Sequence, residues 1–326
     1  MITDSFGRIH HYLRVSLTPA CNLRCSYCAP ADGFRVPPGT KQFSRSEITR
    51  VIGWLAGMGV TKVRFTGGEP TLRSDLAGLI HDTHSTAGIS TVGLTTNGVL
   101  LGLQLDEYLK AGLSSVNISL DTLRPDRFMA ISKRPWHQQV MTGIRKAIDC
   151  GRLQVKLNMV VQRGVNEDEV VDMIHFFARD PVELRFIELM PFAGNGWDPQ
   201  AGIPSQELLK KIRQSVDLAT IEQSTAGHVS DQWAVKGSAL KLGFISSVSN
   251  AFCGTCSRIR LTADGKFKSC LFDDGELDVL SPLRAGCTRE EFHTLIRTHM
   301  LKKPAAHGGH DFSKSTTHRS MISIGG

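Results

Sequence analysis

Residues 12–28 read YLRVSLTPACNLRCSYC, a short apolar run that leads directly into three closely spaced cysteines. The run 12–17 has the length and residue types of a buried β-strand, and the next amphipathic stretch, 46–58, has the apolar spacing of a helix. Active sites of α/β barrels lie at the carboxyl ends of the strands, so the cysteines stand where such a site is expected.

The alternation of a strand and an amphipathic stretch continues along the chain to about residue 190. The strand candidates are 12–17, 62–67, 90–96, 115–120, 154–161 and 182–189. Strands separated by helices pair in parallel through right-handed crossovers. Six such units are fewer than the eight of a closed TIM barrel, so we predict an α/β fold with an open, partial (β/α)6 barrel.

The pattern changes after residue 199. A helical stretch, 205–215, is followed by a Gly/Ser/Thr-rich linker at 223–230 and by short strand-like pieces at 232–236, 241–246, 257–262 and 266–270. We therefore predict a barrel domain over 1–200 and a smaller α+β domain over 201–326. The last thirty residues are basic and poor in large apolar residues, which predicts an extended tail that ends in Gly325 and Gly326.

Composition limits the function classes. The chain has 326 residues, of which 41% are hydrophobic and 21% charged, as in ordinary globular proteins. No stretch approaches the roughly 18 apolar residues of a membrane helix, and the first residues lack an export signal, which predicts a cytoplasmic protein with no membrane partner. The formal charge of +7 favours an anionic partner, and charge alone does not choose between nucleic acid, a membrane surface and a phosphorylated small molecule.

Six of the eight cysteines form two triplets, which we call the first triplet (Cys21, Cys25, Cys28) and the second triplet (Cys253, Cys256, Cys270). In a reducing compartment such spacing indicates metal sites rather than disulfides. Three thiolates can hold three corners of a [4Fe–4S] cluster and leave one iron open. The alternatives are a zinc knuckle completed by His10, His11 or a remote residue, and a fully ligated second site that uses Cys287.

Two further features lie near the triplets. Residues 66–70 read TGGEP directly after the second predicted strand, where glycines allow close backbone approach to a ligand and Glu69 could receive an ammonium group. Arg258 and Arg260 are two residues apart in a strand-like run, so their side chains share one face beside the second triplet. Paired arginines can bind phosphate oxygens bidentately.

The C-x3-C-x-aromatic-C pattern of the first triplet resembles the signature of the radical S-adenosylmethionine superfamily. This resemblance implies that S-adenosylmethionine binds the open iron of a [4Fe–4S] cluster and is reductively split to a 5′-deoxyadenosyl radical. It also implies a set of residues that contact S-adenosylmethionine: Tyr27, Gly68, Glu69, Ser119 and Met190.

A narrower resemblance rests on CGTCSRIRLTADG (253–265), TGGEP (66–70), RFIELMPFAGNGW (185–197) and the terminal Gly-Gly. Together they are similar to the GTP 3′,8-cyclase (MoaA) family of molybdenum cofactor biosynthesis. The resemblance implies a second [4Fe–4S] cluster that binds the guanine of GTP. It implies catalytic roles for Arg258, Arg260, Gly325 and Gly326, and GTP contacts from Arg14, Arg64, Thr95, Lys156, Arg258, Ile259 and Arg260. The chain departs from the family pattern at Ala29, Ala193 and Ser257.

The implied reaction cyclises GTP to (8S)-3′,8-cyclo-7,8-dihydroguanosine 5′-triphosphate, the first step of molybdenum cofactor biosynthesis. The implied partners are an electron donor, a synthase that converts the product to cyclic pyranopterin monophosphate, and a second copy of the chain. Five converging cations suit a triphosphate and account for the positive charge without nucleic acid. The alternatives are a peptide-modifying radical enzyme with two clusters and a basic zinc-binding nucleic-acid module, which would bind oligonucleotides in a salt-dependent way.

Overall fold

The computed structural model describes residues 1–28, 42–221, 230–312 and 319–325. These residues contain one twelve-stranded sheet. The strands are β1 (Tyr12–Ser16), β2 (Lys62–Thr66), β3 (Thr91–Thr96), β4 (Ser115–Ser119), β5 (Gln154–Val161), β6 (Glu183–Glu188), β7 (Leu218–Thr220), β8 (Asp231–Val235), β9 (Lys241–Ile245), β10 (Arg258–Leu261), β11 (Lys266–Lys268) and β12 (Glu276–Asp278). Their spatial order is β12-β11-β10-β1-β2-β3-β4-β5-β6-β9-β8-β7.

The six central strands, β1 to β6, are all parallel and follow each other in chain order. Each begins and ends within one residue of its predicted position. The predicted α/β fold with an open, partial barrel is therefore confirmed. The helices between and after the strands are α1 (Arg45–Ala56), α2 (Leu76–His84), α3 (Leu101–Lys110), α4 (Pro125–Ser132), α5 (His137–Asp149), α6 (Val170–Phe176), α7 (Ser205–Ile212), α8 (Leu280–Arg284), α9 (Arg289–Met300) and α10 (Met321–Ile324). No helix in the described ranges is long and apolar enough to cross a membrane.

The later strands extend the barrel sheet at both of its edges. β10 pairs in parallel with β1, and β9 pairs in parallel with β6. The antiparallel strands β11 and β12 then continue one edge, and β8 and β7 continue the other. Strands from the second half of the chain thus lie on both sides of the barrel strands, and a domain boundary near residue 200 stays a prediction.

Side chains alternate between the two faces of the barrel strands, as the period of two requires. On β1, Leu13 and Val15 are fully buried in the hydrophobic core that the helices cover. Arg14 lies between them in sequence and points to the opposite, inner face, where it lines a cavity. The sheet therefore has an apolar outer face and a polar inner face, and the inner face carries the candidate site.

The tail differs in part from the extended segment that its composition predicted. Residues 297–300 belong to α9, whose Met300 is fully buried. In residues 319–325, Ile322 and Ile324 are buried as well, because α10 packs them inside. Gly326, residues 313–318 and most of the predicted linker, 223–229, lie outside the described residues.

Candidate active site in the barrel

The first triplet follows β1 at the carboxyl end of the barrel. Its three thiols are half-buried and close enough to influence each other's protonation. Burial raises the pKa of Cys21 to about 11, helped by the nearby Glu69, and burial with the charges of Cys21 and Asp121 raises the pKa of Cys28 to about 12. Without a cation the thiols keep their protons, and a bound metal would have to displace them.

The TGGEP segment packs against the loop that precedes Cys21. The Gly68 amide donates to Thr18 O at 2.6 Å, and the Glu69 amide donates to Ala20 O at 2.7 Å. A Cβ atom added to Gly68 would lie 2.3 Å from the Ala20 oxygen, a backbone atom that cannot move aside cheaply. Only glycine therefore allows this approach.

The Glu69 carboxylate is fully buried and is held by donors of the protein. It accepts hydrogen bonds from Thr71, from the Thr96 hydroxyl at 2.7 Å and from the Asn97 amide at 2.7 Å. The Asn97 side chain in turn donates to the Cys21 sulfur at 3.8 Å and to Asn22. Glu69 thus fixes the loop that follows β3 against the first triplet, and a contact between Glu69 and an ammonium group stays a prediction.

Tyr27 is hydrogen-bonded to Asp121, a residue that the sequence analysis missed. The Tyr27 hydroxyl donates to Asp121 Oδ2 at 2.8 Å, and the Val160 amide donates to Oδ1 at 2.9 Å. Burial raises the pKa of Asp121 to about 6. The position of Asp121 just after β4, two residues beyond Ser119, was the available signal, because strand ends meet at this edge.

A cavity of about 610 Å³ occupies the inner face of the barrel. Of the described residues that line it, seven are Lys or Arg and none is Asp or Glu. We call these seven the cation cluster: Arg14, Lys62, Arg64, Lys156, Arg185, Arg258 and Arg260. Five of them were predicted from the sequence. Lys62 and Arg185 were missed. Residue 62 shares a face with residue 64 on β2, which was the available signal for Lys62.

Strand register places much of the cation cluster in two rows. Arg260, Arg14 and Arg64 are neighbours across β10, β1 and β2 and form the upper row. Two residues earlier on the same strands, Arg258, Tyr12 and Lys62 form the lower row. The upper row is deeply buried, with exposed fractions of 5%, 9% and 2% for Arg260, Arg14 and Arg64. Such an arrangement concentrates positive charge in a space that excludes most water.

Lys156 and Arg185 share one carboxylate beneath the cavity. Lys156 Nζ lies 2.9 Å from Glu183 Oε2, and Arg185 Nε donates to Glu183 Oε1 at 2.7 Å. Burial opposes ionisation of Glu183, but the two cations outweigh it and hold the pKa of Glu183 well below its usual range. Thr95 lines the cavity, as predicted. The Ile259 side chain is buried in the hydrophobic core, so only the backbone of Ile259 could contact GTP.

The second triplet lines the same cavity as the cation cluster. Burial raises the pKa of the Cys256 thiol, but the charges of Arg258 and Lys303 outweigh it, and the net pKa is lowered. The cavity lining includes neither Cys150 nor Cys287 among the described residues. The zinc alternative with His10 does not fit the first triplet, because His10 is bonded to Asp4 at 2.9 Å and lies next to Lys303.

The tail reaches this site. Arg260 Nη1 donates to the Gly325 carbonyl at 2.5 Å. Gly325 has φ +83°, and a Cβ atom there would lie 2.3 Å from Thr66 Oγ1 and 2.8 Å from Ser16 Cβ. The segment is anchored by Arg319, which pairs with Asp264 at 2.9 Å and with Glu276 at 2.5 Å, and whose carbonyl accepts from the amide of Ala193 at 3.3 Å. Gly326 and Ala29 lie outside the described residues.

Comparison with known proteins gives this geometry a family. The radical SAM superfamily model matches residues 15–177, and the Molybdenum Cofactor Synthesis C model matches residues 182–309. The mitochondrial GTP 3′,8-cyclase of Arabidopsis thaliana is 40% identical over 100% of this chain and 84% of its own length. The GTP 3′,8-cyclase of Moorella thermoacetica is 38% identical over 99% of both chains. The chain belongs to the GTP 3′,8-cyclase family. It is therefore a radical S-adenosylmethionine enzyme, as the motifs predicted.

Two other comparisons cover a smaller share of the matched protein. Molybdenum cofactor biosynthesis protein 1 of Homo sapiens is 40% identical over 99% of this chain, yet the chain spans only 51% of that relative. The crystal structure of Streptococcus suis SuiB bound to S-adenosylmethionine has a TM-score of 0.63 at 14% identity, and covers 84% of this chain and 64% of that chain. At this identity the likeness concerns the fold, and it agrees with the open barrel.

The inner face fits the cofactors of this family. Among the described residues, the buried polar side-chain atoms without a hydrogen-bond partner include five on the inner face of the barrel: Ser16 Oγ, Thr66 Oγ1, Thr95 Oγ1, Asn117 Oδ1 and Asn158 Oδ1. Such atoms are costly unless a ligand satisfies them. No group of three His, Cys, Asp or Glu side chains in the described ranges is arranged to hold a metal ion, a finding that concerns sites for a single ion. A [4Fe–4S] cluster instead binds each thiolate to a different iron.

Proposed function

We propose that this chain converts GTP to (8S)-3′,8-cyclo-7,8-dihydroguanosine 5′-triphosphate with S-adenosylmethionine and two [4Fe–4S] clusters, as the first step of molybdenum cofactor biosynthesis. The observation that carries the proposal is the shared cavity. Seven cations and three cysteines line one cavity, and one of the seven, Arg260, donates a hydrogen bond to the Gly325 carbonyl. A triphosphate, with roughly four negative charges, is the small anion whose charge best matches such a cluster.

The first triplet would hold the cluster that binds S-adenosylmethionine. When bound, this pair supplies the abstraction of a hydrogen atom from the substrate. The proposed contacts to S-adenosylmethionine come from Tyr27, Gly68, Glu69, Ser119 and Met190. The Gly68 and Glu69 amides are tied to the loop before Cys21, so a ligand on the cluster would meet this segment at a fixed distance.

The cation cluster would fix the triphosphate, and the second triplet would hold the cluster that binds guanine. Both line the same cavity, so the ribose between phosphates and base would be held at two ends. Holding the reacting atoms in place contributes a large part of the rate of an intramolecular reaction. We assign Arg14, Arg64, Thr95, Lys156, Arg258 and Arg260 to GTP through their side chains, and Ile259 through its backbone.

The remaining proposals concern the setting of the reaction. They are an external electron donor, a downstream synthase that makes cyclic pyranopterin monophosphate, a homodimer and a barrel domain that ends near residue 200. A location in the cytoplasm is also a proposal, and the mitochondrial name of the plant relative is the reason to test it.

The test compares two products of anaerobically reduced enzyme, cyclised GTP and 5′-deoxyadenosine. Arg258→Ala or Arg260→Ala should reduce GTP conversion at least tenfold more than the uncoupled formation of 5′-deoxyadenosine, because the substrate cations are lost while the first triplet is intact. The control is Arg163→Ala, whose side chain is half exposed and pairs with Glu207 away from the cavity. A parallel loss of both products would contradict the assigned role of the arginines. Zinc in place of iron would support the nucleic-acid alternative.

A further inference from the structure

Tyr12 occupies an unusual place in the cation cluster. In the two rows that β10, β1 and β2 present to the cavity, five of the six positions carry Lys or Arg, and the sixth carries this phenol. Tyr12 stands between Arg258 and Lys62 in its row and two residues before Arg14 on its own strand. A neutral or anionic oxygen is thus placed among five cations.

The phenol contacts three of these cations. Arg64 Nε donates a hydrogen bond to the Tyr12 oxygen at 2.7 Å. The Arg14 side chain also hydrogen-bonds the phenol. Lys62 Nζ lies 4.7 Å from the centroid of the ring, in the geometry of a cation–π contact. Tyr12 therefore links the cations of β1 and β2.

Arg64 shows what this link achieves. Its Nη1 donates to Leu94 O at 2.6 Å and its Nη2 donates to Ser115 Oγ at 2.9 Å, so Tyr12 supplies the third anchor at Nε. Gly93 makes room for this guanidinium, because a Cβ atom there would lie 2.6 Å from Nη2. With all three nitrogens bonded to the protein, the Arg64 guanidinium is held in place without a ligand.

The pKa values of Tyr12 and Arg14 show that the phenol and the neighbouring cations interact electrostatically. Burial lowers the pKa of Arg14 to about 10, and the like charges of Arg64 and Arg258 add to this effect, while Tyr12 opposes it. Burial would raise the pKa of Tyr12, but the charges of Arg64, Arg14 and Lys62 outweigh it and lower the pKa to about 7. The surrounding cations thus favour the ionised form of the phenol.

We propose that Tyr12 is a positioning residue of the substrate pocket, whose phenol oxygen holds Arg64 and Arg14 on the cavity wall in the arrangement that receives a polyphosphate. The inference deepens the proposed function, on which it rests for the identity of the ligand. Preorganised cations bind phosphates more tightly, because less ordering is left to the binding step. Tyr12 thereby acts through the arginines rather than on the reacting atoms.

The experiment compares Tyr12→Phe with the wild-type enzyme, both containing their clusters, and with Tyr108→Phe as the matched control. The control substitution also removes one phenol hydroxyl, which in Tyr108 donates to Gln104 of the same helix, α3. Calorimetry under anaerobic conditions, without S-adenosylmethionine, measures the binding of GTP and of inorganic triphosphate. A hydrogen bond to a charged group carries enough free energy that Tyr12→Phe should weaken both ligands about 10- to 100-fold. The KM for GTP should rise similarly while kcat and iron content stay near wild type. The thermal unfolding temperature should fall modestly with the variant still folded, because the buried Arg64 Nε loses its partner.

A second readout is the number of protons taken up on binding, obtained from titrations in two buffers of different ionisation enthalpy. At pH 8 the phosphates bring negative charge to Tyr12 and raise its pKa, so the wild-type enzyme should take up more protons than Tyr12→Phe. The other charged groups of the cavity are shared by both proteins: the cation cluster and Glu183, the ion-pair partner of Lys156 and Arg185. A merely structural tyrosine would leave this difference at zero.

The outcomes separate the inference from the proposed function. Equal affinities of Tyr12→Phe and wild type for both ligands would overturn the role of Tyr12 and leave the GTP proposal intact. A fall in kcat with unchanged KM would also overturn it, because Tyr12 would then act on the chemistry. A wild-type enzyme that binds inorganic triphosphate but not GTP would instead remove the proposed substrate, while a weaker Tyr12→Phe complex with triphosphate would still support the positioning role.

Discussion

Gly325→Ala should displace the tail from the active site without unfolding the barrel. An alanine at φ +83° costs about 1–3 kcal/mol in backbone strain. Its Cβ would also lie 2.3 Å from Thr66 Oγ1 and 2.8 Å from Ser16 Cβ, both on buried strand residues, and overpacking of this kind costs about 1–3 kcal/mol. The sum, about 2–6 kcal/mol, is comparable to or larger than the roughly 1.5–3 kcal/mol of one hydrogen bond to a charged group such as Arg260.

The expected result is a loss of cyclised product of about 100-fold, since about 1.4 kcal/mol corresponds to a factor of ten. The assay follows cyclised GTP and 5′-deoxyadenosine under anaerobic conditions, together with iron content, which should stay at the wild-type level. Gly237→Ala is the matched control, because Gly237 has φ +72° but open space around its Cβ position. A Gly325→Ala enzyme with wild-type turnover would refute the docked tail as a part of the active site.

Three further perturbations test other parts of the structure. Gly68→Ala would drive a Cβ to 2.3 Å from the Ala20 oxygen and should reduce both first-cluster iron and 5′-deoxyadenosine formation at least tenfold. Arg319→Ala removes the paired anchor of the tail and should lower product formation, with partial rescue by added peptide of the last residues. A hydrogen bond from Arg284, with the helix cap, lowers the pKa of Glu47 to about 2, so Glu47→Gln should reduce the free energy of unfolding by about 1 kcal/mol at pH 7. Urea titrations should show this difference shrink as the pH falls from 4.5 towards 2, because the stabilisation requires the ionised carboxylate.

Much of the barrel could be predicted because its strands are short apolar runs with helices between them. The same alternation placed Arg14 and Arg64 on the inner face. It also contained Lys62 and Arg185, but an isolated cation in a strand carries no signal of its own until the register brings its neighbours beside it. The family resemblance therefore supplied Arg14, Arg64 and Lys156, and the strand pattern did not add Lys62 and Arg185 to them.

Long-range packing explains the other differences. The tail is basic and rich in glycine, so its composition predicts exposure, yet Ile322 and Ile324 are buried, and Ile324 belongs to a cluster with Phe192 and Phe272, which are distant in sequence. The carboxylate of Glu69 is bonded to Thr96 and Asn97, which belong to another loop, and nothing in the sequence indicated these contacts. Composition and local pattern hold no information on such contacts.

The central claim is that the second triplet carries a cluster that serves GTP conversion and not S-adenosylmethionine cleavage. The most direct test replaces Cys253, Cys256 and Cys270 together with alanine in anaerobically purified enzyme, with Cys150→Ala and Cys287→Ala as controls outside the cavity lining. Iron should fall from roughly eight to roughly four per chain, while uncoupled 5′-deoxyadenosine formation persists and cyclised GTP disappears. Cyclisation at the wild-type rate by the triple variant would contradict the account.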